Sequence, residues 1–321
     1  MWTTFSRRLV NLLAVLLALI LCFHILQIKI TFNAPKPSPV PPEQHAVLSP
    51  TTYKYVLNQP AACENRKPFL VLMVPVAPGD VASREVIRKT WGAPVPGVDT
   101  LTLFYVGLSK EGLNSYVQAD LQRESREHAD IIQMDFVDSY HNLTIKTMMI
   151  MNWLTTHCQG ASYAMKVDAD IFVNVFYLIT LLDGRPRQDY ITGSVIADGR
   201  PRRDSKSKWH LAKDLYPEDS FPPYVSGAGY VFSTDLAAKI SKASRFVRMV
   251  PLEDVYVGLC LHVLGVRPVY SQSFLSLRNL FEVRRLDYER CTFALRVIVT
   301  GFTPSELLYI WQDFSRGHHS C

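Results

Sequence analysis

The 321-residue sequence has no long run of one charge, no internal repeat and no long low-complexity tract. Its 34 Lys and Arg against 29 Asp and Glu give a net charge of +5, and the basic residues are spread along the chain. A nucleic-acid-binding function is not indicated, because it normally needs a clustered basic surface. The modest positive charge still suits small anionic substrates.

Cysteine is also scarce, with six residues in all. One of them, Cys22, falls inside the first apolar run, and the other five are Cys63, Cys158, Cys260, Cys291 and Cys321. If these five face an oxidising compartment, disulfides are expected. Five is an odd number, so one cysteine is free or pairs between chains. The spacing leaves the connectivity open.

Residues 9–28 form an apolar run of about 20 positions, enough to cross a bilayer as a helix. Arg7 and Arg8 precede it, which places the short N-terminus in the cytoplasm. The alternative is a cleaved signal peptide, but its apolar core would be about 7–15 residues and would end at a small-residue cleavage site. We therefore expect a cytoplasmic tail (1–8), a transmembrane signal-anchor (9–28), a lumenal Pro-rich stem (29–65) and a large lumenal domain (66–321). Prolines in the stem disfavour a helix.

From Lys67 onward, apolar strands alternate with helical patterns. The continuous apolar run 69–74 predicts a strand buried on both faces. Further strands are predicted at 101–106, 130–137, 163–167 and 190–196, with helices capped by Ser83 and at 143–158 and 172–182. This alternation predicts an α/β fold with a mixed, mostly parallel sheet and helices on both faces. Ligands of such sheets bind beyond the carboxyl ends of the strands.

The segment Asp168-Ala169-Asp170 follows a predicted strand at such an end. Carboxylates at positions i and i+2 point the same way when the backbone is extended. Mg²⁺ and Mn²⁺ take oxygen ligands, often one or two carboxylates together with substrate phosphates. The pair therefore predicts a metal that holds a diphosphate, although Asp pairs also occur in turns.

Three other segments each allow two interpretations. Glu253-Asp254 begins a predicted helix, where acidic residues are favoured by the helix dipole but could also act as a general base. Residues 221–230 combine turn formers with aromatic rings, as in a tight loop in an aromatic core or a sugar site that a ligand approaches closely at glycine. The basic residues between 200 and 208 are interpreted as a solvated loop rather than a phosphate site.

Six segments in order, SREVIRKTWG, DFVDSYHNLTIKT, MKVDADIFVN, YVSGAGYVFS, EDVYVGLCL and TPSELLYIW, span about Val71 to Cys321. Together they resemble the beta-1,3-galactosyltransferases of glycosyltransferase family 31. The resemblance implies a GT-A-type nucleotide-sugar transferase fold in the Golgi membrane with single-pass type II topology. It implies an inverting transfer of galactose from UDP-galactose to the 3-hydroxyl of a terminal N-acetylhexosamine, N-acetylglucosamine (GlcNAc) in particular, on glycoprotein or glycolipid glycans. An oligomer is possible.

The resemblance also assigns roles to residues. It implies Mn²⁺ as cofactor, bound by Asp168 and Asp170, and catalysis by Asp254 as general base with Glu253 beside it. The residues implied in donor binding are Arg84, Arg88, Lys166 and Asp168, and those implied in acceptor binding are Trp209, Tyr224 and Gly227. The resemblance also makes Asn142 a candidate for glycosylation. This residue belongs to the sequon Asn142-Leu143-Thr144.

Two positions depart from the family pattern. Thr300 stands where the family commonly has a His that can bind the metal, and Val225 stands where close relatives have a Cys. Two alternatives to galactose transfer therefore stay open. One is transfer of GlcNAc from UDP-GlcNAc, and the other is a non-catalytic Golgi homologue that binds glycans.

Overall fold

The computed structural model describes residues 53–274 and 286–321. The predicted tail, the predicted membrane segment and residues 29–52 of the predicted stem lie outside these ranges. Within them, no helix combines the length and the apolar character needed to cross a membrane.

The main sheet has a parallel centre. Its strands are β1 (Tyr55–Leu57), β2 (Leu70–Pro75), β3 (Thr100–Leu108), β4 (Ile131–Val137), β5 (Tyr163–Val167), β7 (Ile191–Ile196), β8 (Tyr224–Ser233) and β9 (Val269–Tyr270). Their order in space is β1-β4-β3-β2-β5-β8-β7-β9. Strands β4, β3, β2 and β5 are parallel, whereas β1 and β8 run antiparallel to their neighbours. The predicted mixed sheet is confirmed.

Helices cover both faces of this sheet. They are α1 (Val81–Lys89), α2 (Tyr116–His128), α3 (Leu143–His157), α4 (Val175–Leu182), α5 (Asp235–Ala243), α6 (Glu253–Leu264), α7 (Arg290–Ala294) and α8 (Pro304–Gly317). Alternate residues of the central strand β2 enter two separate cores. Val71 and Met73 pack with residues of α3, α5 and α6, whereas Leu70 and Leu72 pack with residues of α1, α2 and α4. This explains why the β2 sequence is apolar without alternation.

The folded domain begins earlier than the predicted boundary at residue 66. Strand β1 pairs with β4, and Cys63 forms a disulfide with Cys158 at the end of α3. The predicted stem boundary is corrected accordingly. The three-residue edge strand β1 fits between Pro50 and Pro60 in the sequence. Prolines exclude helices and central strands but leave room for a short edge strand.

Three predicted elements differ in detail. Helix α1 is capped by Asp80, whose carboxylate accepts from the Ser83 backbone N–H, rather than by Ser83 itself. The predicted helix 172–182 divides into a strand and helix α4, with Asn174 as the helix cap. Within the segment 221–230, for which a tight loop was one interpretation, residues 224–230 belong to strand β8.

A second, small sheet lies beside the Asp pair. Strand β6 (Ile171–Val173) pairs antiparallel with β10 (Ile298–Thr300), so that Thr300 lies opposite Ile171. The C-terminal helix α8 packs here through an aromatic cluster that includes Phe172, Phe293 and Phe314. The Cys291–Cys321 disulfide closes this region. The remaining cysteine of the described domain, Cys260, is buried and forms no disulfide.

Candidate functional site

The Asp pair lies where β5 ends and β6 begins. The Asp168 backbone N–H donates to Ala228 O at 3.1 Å, which fixes the pair to strand β8. The Asp170 carbonyl accepts from the backbone N–H groups of Gly301 and Phe302 at 3.2 and 3.0 Å. Partial burial and the neighbouring Asp168 carboxylate raise the pKa of Asp170. A cation bound between two carboxylates that repel one another stabilises the ionised form of both.

Lys166 joins the Asp pair to the other acidic segment. Its side chain is 2% exposed, and Nζ donates to Asp168 Oδ1 at 2.7 Å, to Gly227 O at 2.6 Å and to Glu253 Oε1 at 2.8 Å. All three donors of the ammonium group therefore have acceptors. The charges of Asp168 and Glu253 outweigh burial and raise the pKa of Lys166, so it is protonated at neutral pH.

The structure separates the roles of Glu253 and Asp254, which begin helix α6. Glu253 is buried, and its Oε2 accepts from Thr147 Oγ1 at 3.3 Å and Tyr230 OH at 3.4 Å, while Oε1 faces Lys166. Burial raises the pKa of Glu253 to about 7, although Lys166 opposes that shift. A carboxylate enclosed in this way is a poor general base for an external hydroxyl. The prediction that Glu253 is catalytic is therefore corrected to a buried ion pair.

Asp254 is only half-buried. Its Oδ2 accepts from the Gly227 backbone N–H at 3.1 Å, and its Oδ1 accepts from the Val255 N–H at 2.9 Å. Burial raises the pKa of Asp254, and these two hydrogen bonds partly offset the increase. A carboxylate with a fixed orientation and a raised pKa has the properties of a general base.

Gly227 is the point at which strand β8 meets helix α6. A Cβ atom at this position would lie 2.6 Å from Glu253 Oε1 and 3.4 Å from Asp254 Cβ. Only glycine lets the strand approach both acidic side chains this closely. Sequence interpretation placed Gly227 near the acceptor, and the structure places it against the proposed base.

The oxygen donors of Asp168 and Asp170 fit a divalent cation that also binds diphosphate. Thr300 pairs across the small sheet with Ile171, the residue that directly follows Asp170. Thr300 offers a hydroxyl where the family pattern has the imidazole of a His. Across residues 53–274 and 286–321, no group of three or more His, Cys, Asp or Glu side chains is arranged to hold a metal. Asp168 and Asp170 are the residues that would hold such a cation.

The structure places Arg84 and Arg88 in an ion-pair network of their own. Arg84 is fully buried and donates to both carboxylate oxygens of Glu124, at 2.7 and 2.6 Å. Arg88 donates to Asp130 at 2.7 and 2.8 Å and lies 2.8 Å from Glu124. These contacts join α1 to α2 and the start of β4. The predicted diphosphate contact of Arg84 is corrected, because its guanidinium group has no exposed surface, and Arg88 is engaged in the same network.

Of the predicted acceptor residues, Tyr224 lies close to the helix that carries Asp254. A Cβ on Gly258 of α6 would lie 2.5 Å from Tyr224 Cβ. Trp209 lies in the loop between β7 and β8, with Arg202 Cζ and Lys208 Nζ at 4.8 and 4.7 Å from its ring centroid. The positive charge of Lys208 partly offsets the raised pKa of Asp170. The interpretation of the basic loop as solvated stays a prediction.

Asn142 is half-buried and directly precedes helix α3. Its Nδ2 donates to Val137 O at 2.7 Å. Thr144 of the same sequon is buried and donates to Val250 O at 2.7 Å. Asn142 and Thr144 therefore both stabilise the start of α3, and glycosylation of Asn142 stays a prediction.

Sequence interpretation missed one ion pair at the same edge of the sheet. Lys146 Nζ donates to both carboxylate oxygens of Asp138, at 2.8 and 2.6 Å, and to Val76 O at 3.0 Å. Asp138 also accepts from the Gly107 backbone N–H at 2.8 Å. These residues tie together the ends of β2, β3 and β4. The available signal was a lysine on the buried face of a predicted helix that is otherwise apolar.

Comparisons with known proteins show the family to which the chain belongs. A family model described as Galactosyltransferase matches residues 82–272. The chain is 42% identical over 273 residues to beta-1,3-galactosyltransferase 2 of Homo sapiens, covering 84% of this chain and 64% of that protein. It is 41% identical over 278 residues to beta-1,3-galactosyltransferase 1 of Mus musculus, covering 85% of this chain and 82% of that protein. The chain thus spans just under two thirds of the first relative and most of the second.

Among solved structures, an active-site mutant of LgtC is similar at 12% identity, with a TM-score of 0.38 over 76% of this chain and 95% of that chain.

Proposed function

The chain belongs to the galactosyltransferase family, and from this premise we propose that it transfers galactose from UDP-galactose to the 3-hydroxyl of a terminal GlcNAc on glycan acceptors. The observation that supports the proposal is the chain of hydrogen bonds between the two carboxylates: Lys166 donates to Asp168 and to the Gly227 carbonyl, and the Gly227 N–H donates to Asp254. A base for an acceptor hydroxyl and a carboxylate for a donor diphosphate thereby belong to one site.

The proposed reaction is a single displacement with inversion. Asp254 takes the proton of the acceptor 3-hydroxyl, and the oxygen attacks the anomeric carbon of galactose from the face opposite the leaving group. A new C–O bond forms as the bond from that carbon to the diphosphate oxygen breaks, and UDP departs with the electron pair. No covalent intermediate with the chain is needed.

Asp168 and Asp170 would hold Mn²⁺, which would supply charge stabilisation to the departing diphosphate. The chain contributes further positive charge near this point. Lys166 contacts Asp168, and Lys208 acts electrostatically on Asp170. We expect the same metal and cationic residues to favour a diphosphate-linked donor whether the sugar is galactose or GlcNAc.

One alternative is favoured by a specific observation. Thr300 replaces the metal-binding His of the family pattern, as expected of a homologue that binds glycans without catalysis. The oriented carboxylate of Asp254 supports catalysis instead, because a binding protein needs no general base. We also propose the Golgi membrane as the location, with type II topology, on the basis of family membership and the sequence of residues 7–28.

The test is a transfer assay with the purified full-length chain, a panel of UDP-sugars and GlcNAc-terminated and other acceptors, with and without Mn²⁺. We expect UDP-galactose with a GlcNAc-terminated acceptor to give a β1,3-linked product, identified by NMR. Asp254→Asn is expected to abolish turnover. A preference for UDP-GlcNAc would replace the proposed donor, and no transfer from any UDP-sugar would reject both enzymatic functions. Unchanged turnover with a chelator would reject the metal.

A further inference from the structure

Lys166 occupies an unusual position for a residue expected to bind the donor. It is 2% exposed, and its three hydrogen bonds reach three separate parts of the fold. These are the Asp pair after β5, the Gly227 carbonyl of β8, and Glu253 at the start of α6. The ammonium group has no donor left for a ligand.

We propose that Lys166 and Glu253 are positioning residues that fix the distance between the Asp168 carboxylate and the proposed base Asp254. The inference rests on the proposed function of the same site. Neither residue touches substrate in this role. Lys166 holds Asp168, and Glu253 holds the first turn of the helix that carries Asp254.

Two contacts make this connection rigid. The Glu253 carboxylate is confined by Lys166 on one oxygen and by Thr147 and Tyr230 on the other. Gly227 then links the two ends through a single peptide group, because its carbonyl accepts from Lys166 and its N–H donates to Asp254. A displacement of Lys166 therefore changes the position of both the donor-side and the base-side carboxylate.

Because Lys166 and Glu253 form an ion pair, mutations can separate their positioning role from their contribution to the stability of the fold. Removing one member of a buried pair leaves an unpaired buried charge, whereas replacing both with neutral residues of similar size is often tolerated. Lys166→Met and Glu253→Gln are close in shape to the originals. The double variant therefore restores charge balance without restoring the link.

The experiment compares Lys166→Met, Glu253→Gln and the double variant in the full-length chain, each at a temperature well below its Tm. Three quantities are measured: Tm, the affinity for UDP with Mn²⁺ by calorimetry, and kcat with KM for donor and acceptor. Lys239→Met is the matched control, because Lys239 also bridges two carboxylates, Asp189 and Asp235, at 2.6 and 2.7 Å, on the outer surface of α5.

We expect Lys166→Met to weaken UDP binding at least tenfold and Lys239→Met to leave it unchanged. Glu253→Gln should keep UDP affinity within threefold and lower kcat at least tenfold. The double variant should recover Tm without recovering kcat. Recovery of both Tm and kcat would show that the pair only stabilises the fold and would overturn the proposal, as would unchanged UDP binding in Lys166→Met. If the parent transfers no sugar, the proposed function fails, and the UDP-binding comparison still decides the role of Lys166.

Discussion

Gly227→Ala is expected to damage catalysis more than it damages the fold. The added Cβ would lie 2.6 Å from Glu253 Oε1, about 0.8 Å inside an ordinary contact of 3.4 Å. Glu253 cannot yield easily, because Lys166, Thr147 and Tyr230 hold its carboxylate. Strand β8 must therefore retreat at residue 227, and the hydrogen bond from the Gly227 N–H to Asp254 moves with it.

Two magnitudes follow from this shift. Overpacking of a closely packed position costs about 1–3 kcal/mol, and each kcal/mol lowers Tm by about 2–4 °C in a domain of roughly this size. Misplacement of a reacting group by about 1 Å can reduce a rate by about 100-fold. We therefore expect Gly227→Ala to remain folded at 25 °C and to lose about 100-fold in kcat.

The assay measures kcat at saturating donor and acceptor together with Tm by differential scanning fluorimetry. Gly160→Ala is the matched control, because the closest atom to its added Cβ is Cγ of the exposed Lys67 at 3.1 Å, which can move aside. It should keep both kcat and Tm. A Gly227→Ala variant with kcat within threefold of the parent would refute the argument that β8 positions Asp254.

Three further predictions concern single side chains. Burial raises the pKa of Asp254, and a base must be ionised. A pH profile should therefore show kcat/KM falling on acidification, with a midpoint above the ordinary Asp value of about 3.9; a lower midpoint would exclude Asp254 as the base. Arg84→Met should lower the free energy of unfolding in urea by up to about 3–5 kcal/mol, because it removes the buried partner of Glu124. Weaker UDP binding at unchanged stability would instead support the original prediction that Arg84 contacts the donor. Burial raises the pKa of the Cys260 thiol, so maleimide should label Cys260, mapped by peptide mass spectrometry, only after denaturation; rapid labelling of the native chain would contradict the buried position.

The sequence predicted the elements of the site better than their connections. Asp168, Gly227 and Asp254 were all candidates, because each lies in a motif or at an element boundary. These residues lie close together because the carboxyl end of β5 and the start of α6 meet at the same edge of the sheet. The sequence did not predict that Lys166 would bridge them, because its partner Glu253 lies 87 residues away.

The errors have physical causes. The family resemblance assigned Arg84 to the diphosphate, but its partner Glu124 lies on a different helix, 40 residues later in the sequence. Residues 221–230 were interpreted as a tight loop or a sugar site because they combine turn formers, such as proline and glycine, with aromatic residues. In the fold, those glycines let β8 pack closely against its neighbours, as Gly227 does against α6 and Gly229 does against Ile298, at 3.4 Å from an added Cβ. Tertiary packing therefore decided what local propensity left open.

The position of strand β1 has a consequence for the order in which the domain can be assembled during synthesis. β1 is the first strand of the described domain, yet its partner β4 follows about 75 residues later, and Cys63 must wait for Cys158, 95 residues further on. At about 5–20 residues per second, Cys63 remains without its partner for roughly 5–20 s. During that interval it is open to mispairing with other thiols, and faithful oxidation depends on α3 forming before an incorrect bond is trapped.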